Sequence, residues 1–163
     1  KKLNISPLSF QNKMIIGHLR SFTITFLIYI ISGGIGALYF LVIAFITKSF
    51  LEAINYIEHY GLVRERGKRV EMRHSWNSNH FMSSIYLYNV TRHSDHHRLA
   101  KLKYWELHPC PENAPITPYG YLTMLYLVIL TPFLYHKIMK LKLEEWDINY
   151  ANSEEKKIIQ TQY

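Results

Sequence analysis

The sequence predicts an all-α integral membrane protein, in which a transmembrane helical hairpin precedes helices on the cytoplasmic side. Three observations lead to this prediction. The run from Ser21 to Thr47 contains no charged residue and has the length of a membrane span. Basic residues flank this run on both sides. Residues 77–97 contain neither proline nor glycine, which favours a second helical stretch, and that stretch ends in a cluster of histidines.

Two arrangements of the apolar run compete. A single helix over about residues 22–46 would place basic clusters on both sides of the membrane, although Lys and Arg concentrate on the cytoplasmic side of membrane proteins. A hairpin over about residues 12–55, with helices at 12–31 and 36–54 and a turn at Gly33 and Gly34, returns both basic flanks to the cytoplasm. We therefore expect the hairpin, with His18, Arg20 and Lys48 at the interface, where long basic side chains reach water.

The net charge of +7 has several readings. It suits an acidic protein partner, anionic lipid or nucleic acid, and it also follows from cytoplasmic topology alone. We do not expect nucleic acid binding, because the basic residues lie beside apolar spans and no nucleic-acid motif accompanies them. The single cysteine, Cys110, permits no internal disulfide, and no CxxC pair is present for zinc or iron. The chain does not begin with methionine and shows no secretory signal, so we expect a fragment or a processed chain.

After the hairpin, we expect residues 52–63 to continue as a helix that breaks near Gly61 and is followed by a charged turn. The four prolines in residues 107–119 predict a loop. Residues 121–135 are apolar but too short to span and contain Pro132, which is typical of an interfacial or buried helix. We expect residues 1–143 to form one domain, with the hairpin at about 12–55, a metal-site region at about 56–143, and a polar surface tail at 144–163.

The histidines at 93, 96 and 97 are the strongest candidates for a chemical role. On a helix, His93 shares a face with His96 and with His97, because residues three and four apart are neighbours. His96 and His97 point about 100° apart, so a pair of metals suits this spacing better than one ion. His59, just after the apolar run, is a fourth candidate. Imidazole suits zinc, copper, iron and nickel.

Several neighbours of these histidines would orient the ligands. Glu58 and Asp95 are carboxylates that could accept a hydrogen bond from a bound imidazole or, less directly, bind metal themselves. Residues 73–80, which read Arg-His-Ser-Trp-Asn-Ser-Asn-His, contribute the further candidates His74 and His80. In this stretch Ser75 or Asn77 is also suited to cap the following helix. We expect structural roles for the remaining isolated histidines, which are His18, His108 and His136.

Three motifs resemble those of the membrane alkane 1-monooxygenases, the non-haem di-iron alkane hydroxylase family. Residues 55–62, Asn-Tyr-Ile-Glu-His-Tyr-Gly-Leu, are similar to that family's NYxEHYG(L/M) signature, residues 73–80 to its RHSWNSNH stretch, and residues 92–97 to the RHSDHH of its last histidine box. The resemblance runs from about residue 6 to residue 139. An HxxHH motif alone is weak evidence for the alkane hydroxylases, because fatty-acid desaturases and hydroxylases share it. The NYxEHYG element separates the alkane hydroxylases from those enzymes. The residues before the box, Val90 and Thr91, depart from the family's usual Leu-Gln.

The resemblance implies an enzyme that uses molecular oxygen to hydroxylate n-alkanes at a terminal carbon. Nine histidines would hold two iron ions at a cytoplasm-facing site of a bacterial inner membrane protein, and His59, His93, His96 and His97 match four of them. The family's earlier HExxHK and EHxxGHH boxes do not occur in this sequence, so we expect this chain to supply only part of the centre. Electrons would come from rubredoxin and rubredoxin reductase acting in trans.

Alternatives stay open at this point. An alkyl-aromatic enzyme such as a xylene methyl monooxygenase, or a di-iron enzyme of the fatty-acid hydroxylase or desaturase type, would use the same chemistry. A membrane protein that binds or transports metal without redox chemistry is a different class, and transporters usually place their ligands at bilayer depth. A catalytically silent remnant is a further possibility.

Overall fold

The computed structural model of the chain describes residues 9–110 and 112–162, in which the regular elements are helical. This confirms the all-α prediction. A single pair of described residues, Asn77 and Ile116, forms an isolated parallel bridge. The helices are α1 (Lys13–His59), α2 (Phe81–Tyr86), α3 (His93–Arg98), α4 (Tyr121–Leu130), α5 (Pro132–Asn149) and α6 (Ser153–Gln162), and short 3₁₀ turns occupy Met72–His74 and Tyr104–Glu106.

Helix α1 contains the apolar run and is interrupted at Gly33, where φ is 70° and ψ is −172°. This break falls at the predicted turn, and glycine tolerates such a backbone because it has no Cβ. The 20 residues before it and the 26 after it correspond to about 30 Å and about 39 Å of helix. Each half therefore has the length needed to cross a bilayer of about 30 Å. By length and composition α1 qualifies as a membrane span. Of the residues in its most apolar 18-residue stretch, 6% are buried.

The chain divides into two compact units, residues 1–50 and residues 51–163. In the first unit most large apolar side chains are exposed, as suits a segment that faces lipid. The second unit has a buried core. Its members are Ile57, Trp76, Tyr121, Met124, Tyr135, Met139 and Trp146.

The predicted continuous helix over residues 77–97 is wrong. Helix α2 ends at Tyr86, and the chain turns through Tyr88 (φ 49°) and Asn89 (φ 58°) before α3 begins at His93. The turn lets the carbonyl of Thr91 accept a hydrogen bond from the Ser78 backbone N–H at 2.9 Å. Tertiary hydrogen bonding thus overrides a local sequence that contains no helix breaker.

The apolar stretch at residues 121–135 forms the whole of α4 and the beginning of α5. Thr131 separates α4 from α5, and Pro132 occupies the first turn of α5, where its missing N–H is tolerated. The predicted break at Gly61 is present, with φ of 70°. The predicted loop at residues 107–119 contains no helix in its described residues.

The segment from residue 144 onward was expected to be a polar surface tail. In the structure α5 runs through residue 144 to Asn149, and α6 follows. Trp146 and Glu155 are each 1% exposed, and Ile159 packs against the core. These helices therefore pack as part of the second unit.

Candidate metal centre

Three of the four candidate ligands converge between the end of α1 and helix α3. One ring nitrogen from each of His59, His93 and His97 lies within 4.8 Å of the others. The Nε2 atoms of His59 and His97 are 3.1 Å apart, and the rings of His93 and His97 meet edge to face at 4.4 Å. The fold thus brings together His59 and His93, which are 34 positions apart in the sequence.

His59 is held in a defined orientation. Its Nδ1 is 3.0 Å from the carbonyl oxygen of Asn55, one helical turn back, so Nδ1 carries the proton and donates. This leaves the lone pair of Nε2 directed toward His97. The neighbouring Tyr60 ring stacks on His136 at 5.4 Å with an interplanar angle of 4°, and the Tyr56 hydroxyl lies 3.1 Å from His136 Nε2. His136 therefore steadies the turn that bears His59, which is the structural role expected of it.

The donor set fits a metal ion. Two nitrogens that each lie about 2.1 Å from one ion and 3.1 Å from each other subtend about 95° at that ion, an ordinary ligand–metal–ligand angle. Glu58 is 4% exposed, and its Oε2 lies 3.5 Å from His93 Nδ1. The other carboxylate oxygen, Oε1, is buried without a hydrogen-bond partner among the described residues. A buried carboxylate beside imidazoles is the arrangement that orients metal-bound histidines.

The electrostatics favour neutral imidazoles. Burial, together with the neighbouring His97, His59 and His96, lowers the pKa of His93 to about 3. Burial likewise lowers the pKa of His97 to about 4, with contributions from His59, His96 and the nearby Arg64. Neutral imidazole is the form that binds metal. At neutral pH these side chains are therefore available as ligands.

His96 stands apart from the other three. It is exposed, and its ring centre lies 5.8 Å from that of His93 and 6.2 Å from that of His97. Adjacent residues on a helix point about 100° apart, so the side chain of His96 points away from the group that His59, His93 and His97 form.

A buried polar segment joins the two ligand-bearing helices, and sequence reasoning missed its role. Trp76 donates its backbone N–H to the carbonyl of Glu58 at 2.8 Å and its indole N–H to the carbonyl of Tyr60 at 2.9 Å. These bonds fix the end of α1 on both sides of His59.

The same segment fixes α3. The Ser75 and Ser94 hydroxyls are 2.9 Å apart, and the Ser94 backbone N–H donates to Asn77 Oδ1 at 2.9 Å. The sequence predicts Ser75 or Asn77 as the cap of the helix that directly follows, yet the residue at the N-terminus of α2 is His80. Asn77 instead satisfies an amide in the first turn of α3, which no pattern within either segment could reveal.

Asp95 is fully buried, but it does not contact the candidate ligands. Its Oδ1 accepts a hydrogen bond from Arg98 Nε at 2.6 Å, and its Oδ2 accepts one from the His108 backbone N–H at 2.9 Å. Burial opposes ionisation, but these bonds outweigh burial and lower the pKa of the Asp95 carboxyl. Asp95 thus ties α3 to the proline-rich loop.

The two remaining candidates differ in environment. His74 is buried with both ring nitrogens engaged: Nδ1 accepts from the Glu71 backbone N–H at 2.9 Å, and Nε2 lies 2.8 Å from Glu155 Oε1. This leaves no ring nitrogen of His74 for a metal. His80 is exposed and provides no side-chain cap to α2.

Comparisons with known proteins show which proteins this chain is similar to. The family model for fatty acid desaturases matches residues 4–128. Alkane 1-monooxygenase 2 of Alcanivorax borkumensis is 43% identical over 119 residues, which are 70% of this chain and 31% of that protein. Alkane 1-monooxygenase 1 of Pseudomonas aeruginosa is 35% identical over 159 residues, or 94% of this chain and 40% of that protein. The hydroxylase component of a Pseudomonas putida xylene/toluene monooxygenase is 32% identical over 113 residues, 69% of this chain and 30% of its own length. The chain therefore spans less than half of each of these relatives.

Proposed function

The chain belongs to the fatty acid desaturase family, and from its similarity to alkane 1-monooxygenases we propose that it is part of a membrane alkane 1-monooxygenase. The proposed reaction is the oxygen-dependent hydroxylation of n-alkanes to 1-alkanols at a histidine-ligated di-iron centre. The observation that carries the proposal is the convergence of His59, His93 and His97 beside the buried carboxylate of Glu58. The names of the alkane 1-monooxygenases, which are 35–43% identical, give the reaction class.

We assign His59, His93, His96 and His97 as ligands to the two iron ions. Iron would activate molecular oxygen, so that one oxygen atom is inserted into the substrate C–H bond and the other leaves as water with two electrons from an electron carrier. This chain's residues supply geometry: Asn55 fixes the His59 tautomer through its carbonyl, and Glu58 lies against His93. Ligands beyond these four would come from parts of the protein outside this sequence, as would the walls of the alkane channel.

We assign His96 to a different iron ion from the other three ligands. It projects about 100° away from His97 and is exposed in this chain. We propose that it serves the second iron, together with ligands from the rest of the protein.

A second candidate substrate has support from one observation. The xylene/toluene monooxygenase hydroxylase component is similar to the chain over 69% of its length, so the methyl group of an alkyl-aromatic substrate is the alternative. Assay of the full-length enzyme with octane and with xylene, with products identified by gas chromatography, separates these candidates. Octanol as the main product supports the alkane assignment, and methylbenzyl alcohol supports the alternative.

We further propose a bacterial inner membrane location with the active site on the cytoplasmic side, and electron supply by rubredoxin and its reductase in trans. The location is supported by the apolar length of α1 and by the basic residues that follow it. Exposed basic side chains in residues 64–69 and 98–103 would speed the approach of an acidic electron carrier. They are Arg64, Arg66, Lys68, Arg69, Arg98, Lys101 and Lys103. Turnover with rubredoxin should fall as ionic strength rises, and a rate that is insensitive to salt would contradict this steering.

Single alanine substitutions of the four ligands in the full-length protein test the metal assignment. We expect each variant to lose iron as measured by mass spectrometry of the purified protein. His108→Ala is the matched control, because His108 is exposed and engages Asp95 through its backbone rather than its ring. Iron content equal to that of the unmodified protein in all four variants would rule out the assignment.

A further inference from the structure

Two C-terminal residues reach the polar segment that holds the candidate ligands. From α5, the indole N–H of Trp146 donates to the carbonyl of Arg73 at 2.7 Å. From α6, Glu155 Oε1 lies 2.8 Å from His74 Nε2. Trp146 and Glu155 are each 1% exposed, although both belong to a stretch whose composition is polar. Their side chains therefore belong to the packed interior and form hydrogen bonds there.

The bond between His74 and Glu155 has a defined direction. Because the Glu71 backbone N–H donates to His74 Nδ1 at 2.9 Å, the imidazole proton lies on Nε2 and is donated to the Glu155 carboxylate. Arg73 Nη2 also lies 3.3 Å from the same Oε1. Hydrogen bonds to an ionised acceptor are stronger than neutral ones, and losing one partner of a buried pair leaves the other uncompensated.

The residues held in this way directly precede those that contact the ligand-bearing helices. Ser75 follows His74 and bonds Ser94, which lies between His93 and His97 on α3. Trp76 follows Ser75 and bonds the carbonyl of Glu58, which precedes His59 on α1. A short path of hydrogen bonds and peptide links thus connects the C-terminal helices to both halves of the candidate centre.

We propose that Trp146 and Glu155 form a C-terminal clamp that positions the candidate metal centre through residues 73–77. This inference rests on the proposed function, since it assigns positioning residues to the same site. The clamp acts on ligand geometry at a distance, because neither residue contacts a candidate ligand. Its loss should therefore loosen the histidines without removing any metal-binding atom.

Glu155 has a second role that the experiment must separate. It accepts the Asn152 backbone N–H at 2.9 Å through Oε2, while its own N–H donates to Asn152 Oδ1 at 2.8 Å. This reciprocal pair caps α6. Asn152→Ala weakens the cap and leaves the carboxylate beside His74, whereas Glu155→Ala removes both. Glu154→Ala is a control on the same helix, because Glu154 is exposed and pairs only with Lys157 among the described residues.

The test uses the full-length protein in detergent and measures two quantities. The first is the affinity for Fe²⁺, by competition with a chelator. The second is hydrogen–deuterium exchange of the metal-free protein, read by mass spectrometry over residues 73–80 and 93–98. For Glu155→Ala we expect roughly tenfold weaker Fe²⁺ binding, at the low end of the effect of groups that orient metal ligands, together with faster exchange confined to those two segments. Glu155→Gln keeps an acceptor for His74 and should recover most of the affinity.

Two results would overturn the clamp. One is Fe²⁺ affinity and exchange in Glu155→Ala that match those of Asn152→Ala. The other is exchange that rises evenly over the whole chain, which would mean general destabilisation. Since the exchange measurement needs no metal, it decides the clamp even if the unmodified protein binds no iron, a result that would contradict the proposed function alone.

Discussion

The backbone N–H of Ser94 donates a 2.9 Å hydrogen bond to Oδ1 of Asn77, so a residue 17 positions upstream caps the helix that carries His93 and His97. Both residues are fully buried. Asn77→Ala leaves this amide without an acceptor, at a cost of about 1–3 kcal/mol. We expect a lower thermal unfolding temperature and weaker iron binding in the full-length protein, measured by calorimetry and by metal content.

Asn79→Ala provides the control for that substitution. Asn79 is in the same segment and donates a longer bond of 3.3 Å to the Pro109 carbonyl, but it does not contact α3 in the described structure. Its replacement should leave iron binding nearly unchanged. If both variants lose iron equally, the cap on α3 is not what positions the histidines.

Glu58 lies 3.5 Å from His93 and is buried, so its carboxylate is placed to orient that imidazole. Glu58→Gln keeps the size and replaces the carboxyl group by an amide that cannot ionise. We expect the affinity for Fe²⁺ to fall by about 10- to 100-fold, as measured by chelator competition. Glu144→Gln changes an exposed carboxylate on α5 and should have no effect. Equal affinity in the two variants would show that Glu58 has no influence on the metal.

Gly61 and Gly67 both have positive φ, of 70° and 88°, but their surroundings differ. A Cβ on Gly61 would lie 2.6 Å from both Cδ atoms of Leu143, whereas nothing lies within 4 Å of a Cβ on Gly67. Gly67→Ala should cost about 1 kcal/mol of backbone strain. Gly61→Ala should cost about 1–3 kcal/mol more from overpacking. Chemical denaturation of the two variants measures the difference, and equal stabilities would contradict it.

The stabilising contribution of Glu155 depends on pH. Burial disfavours its charge, but the Asn152 amide, His74 and Arg73 outweigh burial and lower the pKa of its carboxyl below the ordinary value of 4.5. A carboxyl whose pKa is lowered by folding contributes stability that is complete above its ordinary pKa and declines as the pH falls below it. The gap in unfolding temperature between the unmodified protein and Glu155→Gln should therefore be constant from pH 6 to 7 and narrow below about pH 4.5. A gap in unfolding temperature that widens as the pH falls would contradict a lowered pKa of the Glu155 carboxyl.

The sequence was informative wherever a local pattern determined the structure. The helical class, the break at Gly33 and the break at Gly61 followed from residue types whose backbone preferences act locally. The convergence of His59 with the later histidines was suggested by motifs, because spacing alone cannot bring together residues 34 positions apart.

The interactions that hold the site together were harder to predict. The turn at Tyr88 and Asn89 depends on the bond between Ser78 and Thr91, which offsets the cost of positive φ in non-glycine residues. The burial of Glu155 depends on His74, 81 positions away. The Asn152–Glu155 capping pattern could have indicated the start of α6, but no local signal indicated where that helix would pack.

The backbone of Gly33 also bears on topology. A chain that crosses a bilayer an odd number of times presents its two ends to opposite compartments, and an even number returns them to one. A single crossing would place the two basic flanks on opposite sides of the membrane, whereas two crossings that meet at Gly33 would place them on the same side. In the two-crossing arrangement that we predict from the sequence, the break at Gly33 would make the number of crossings even, and iron, electrons and protons would reach the histidines from the side of both basic flanks.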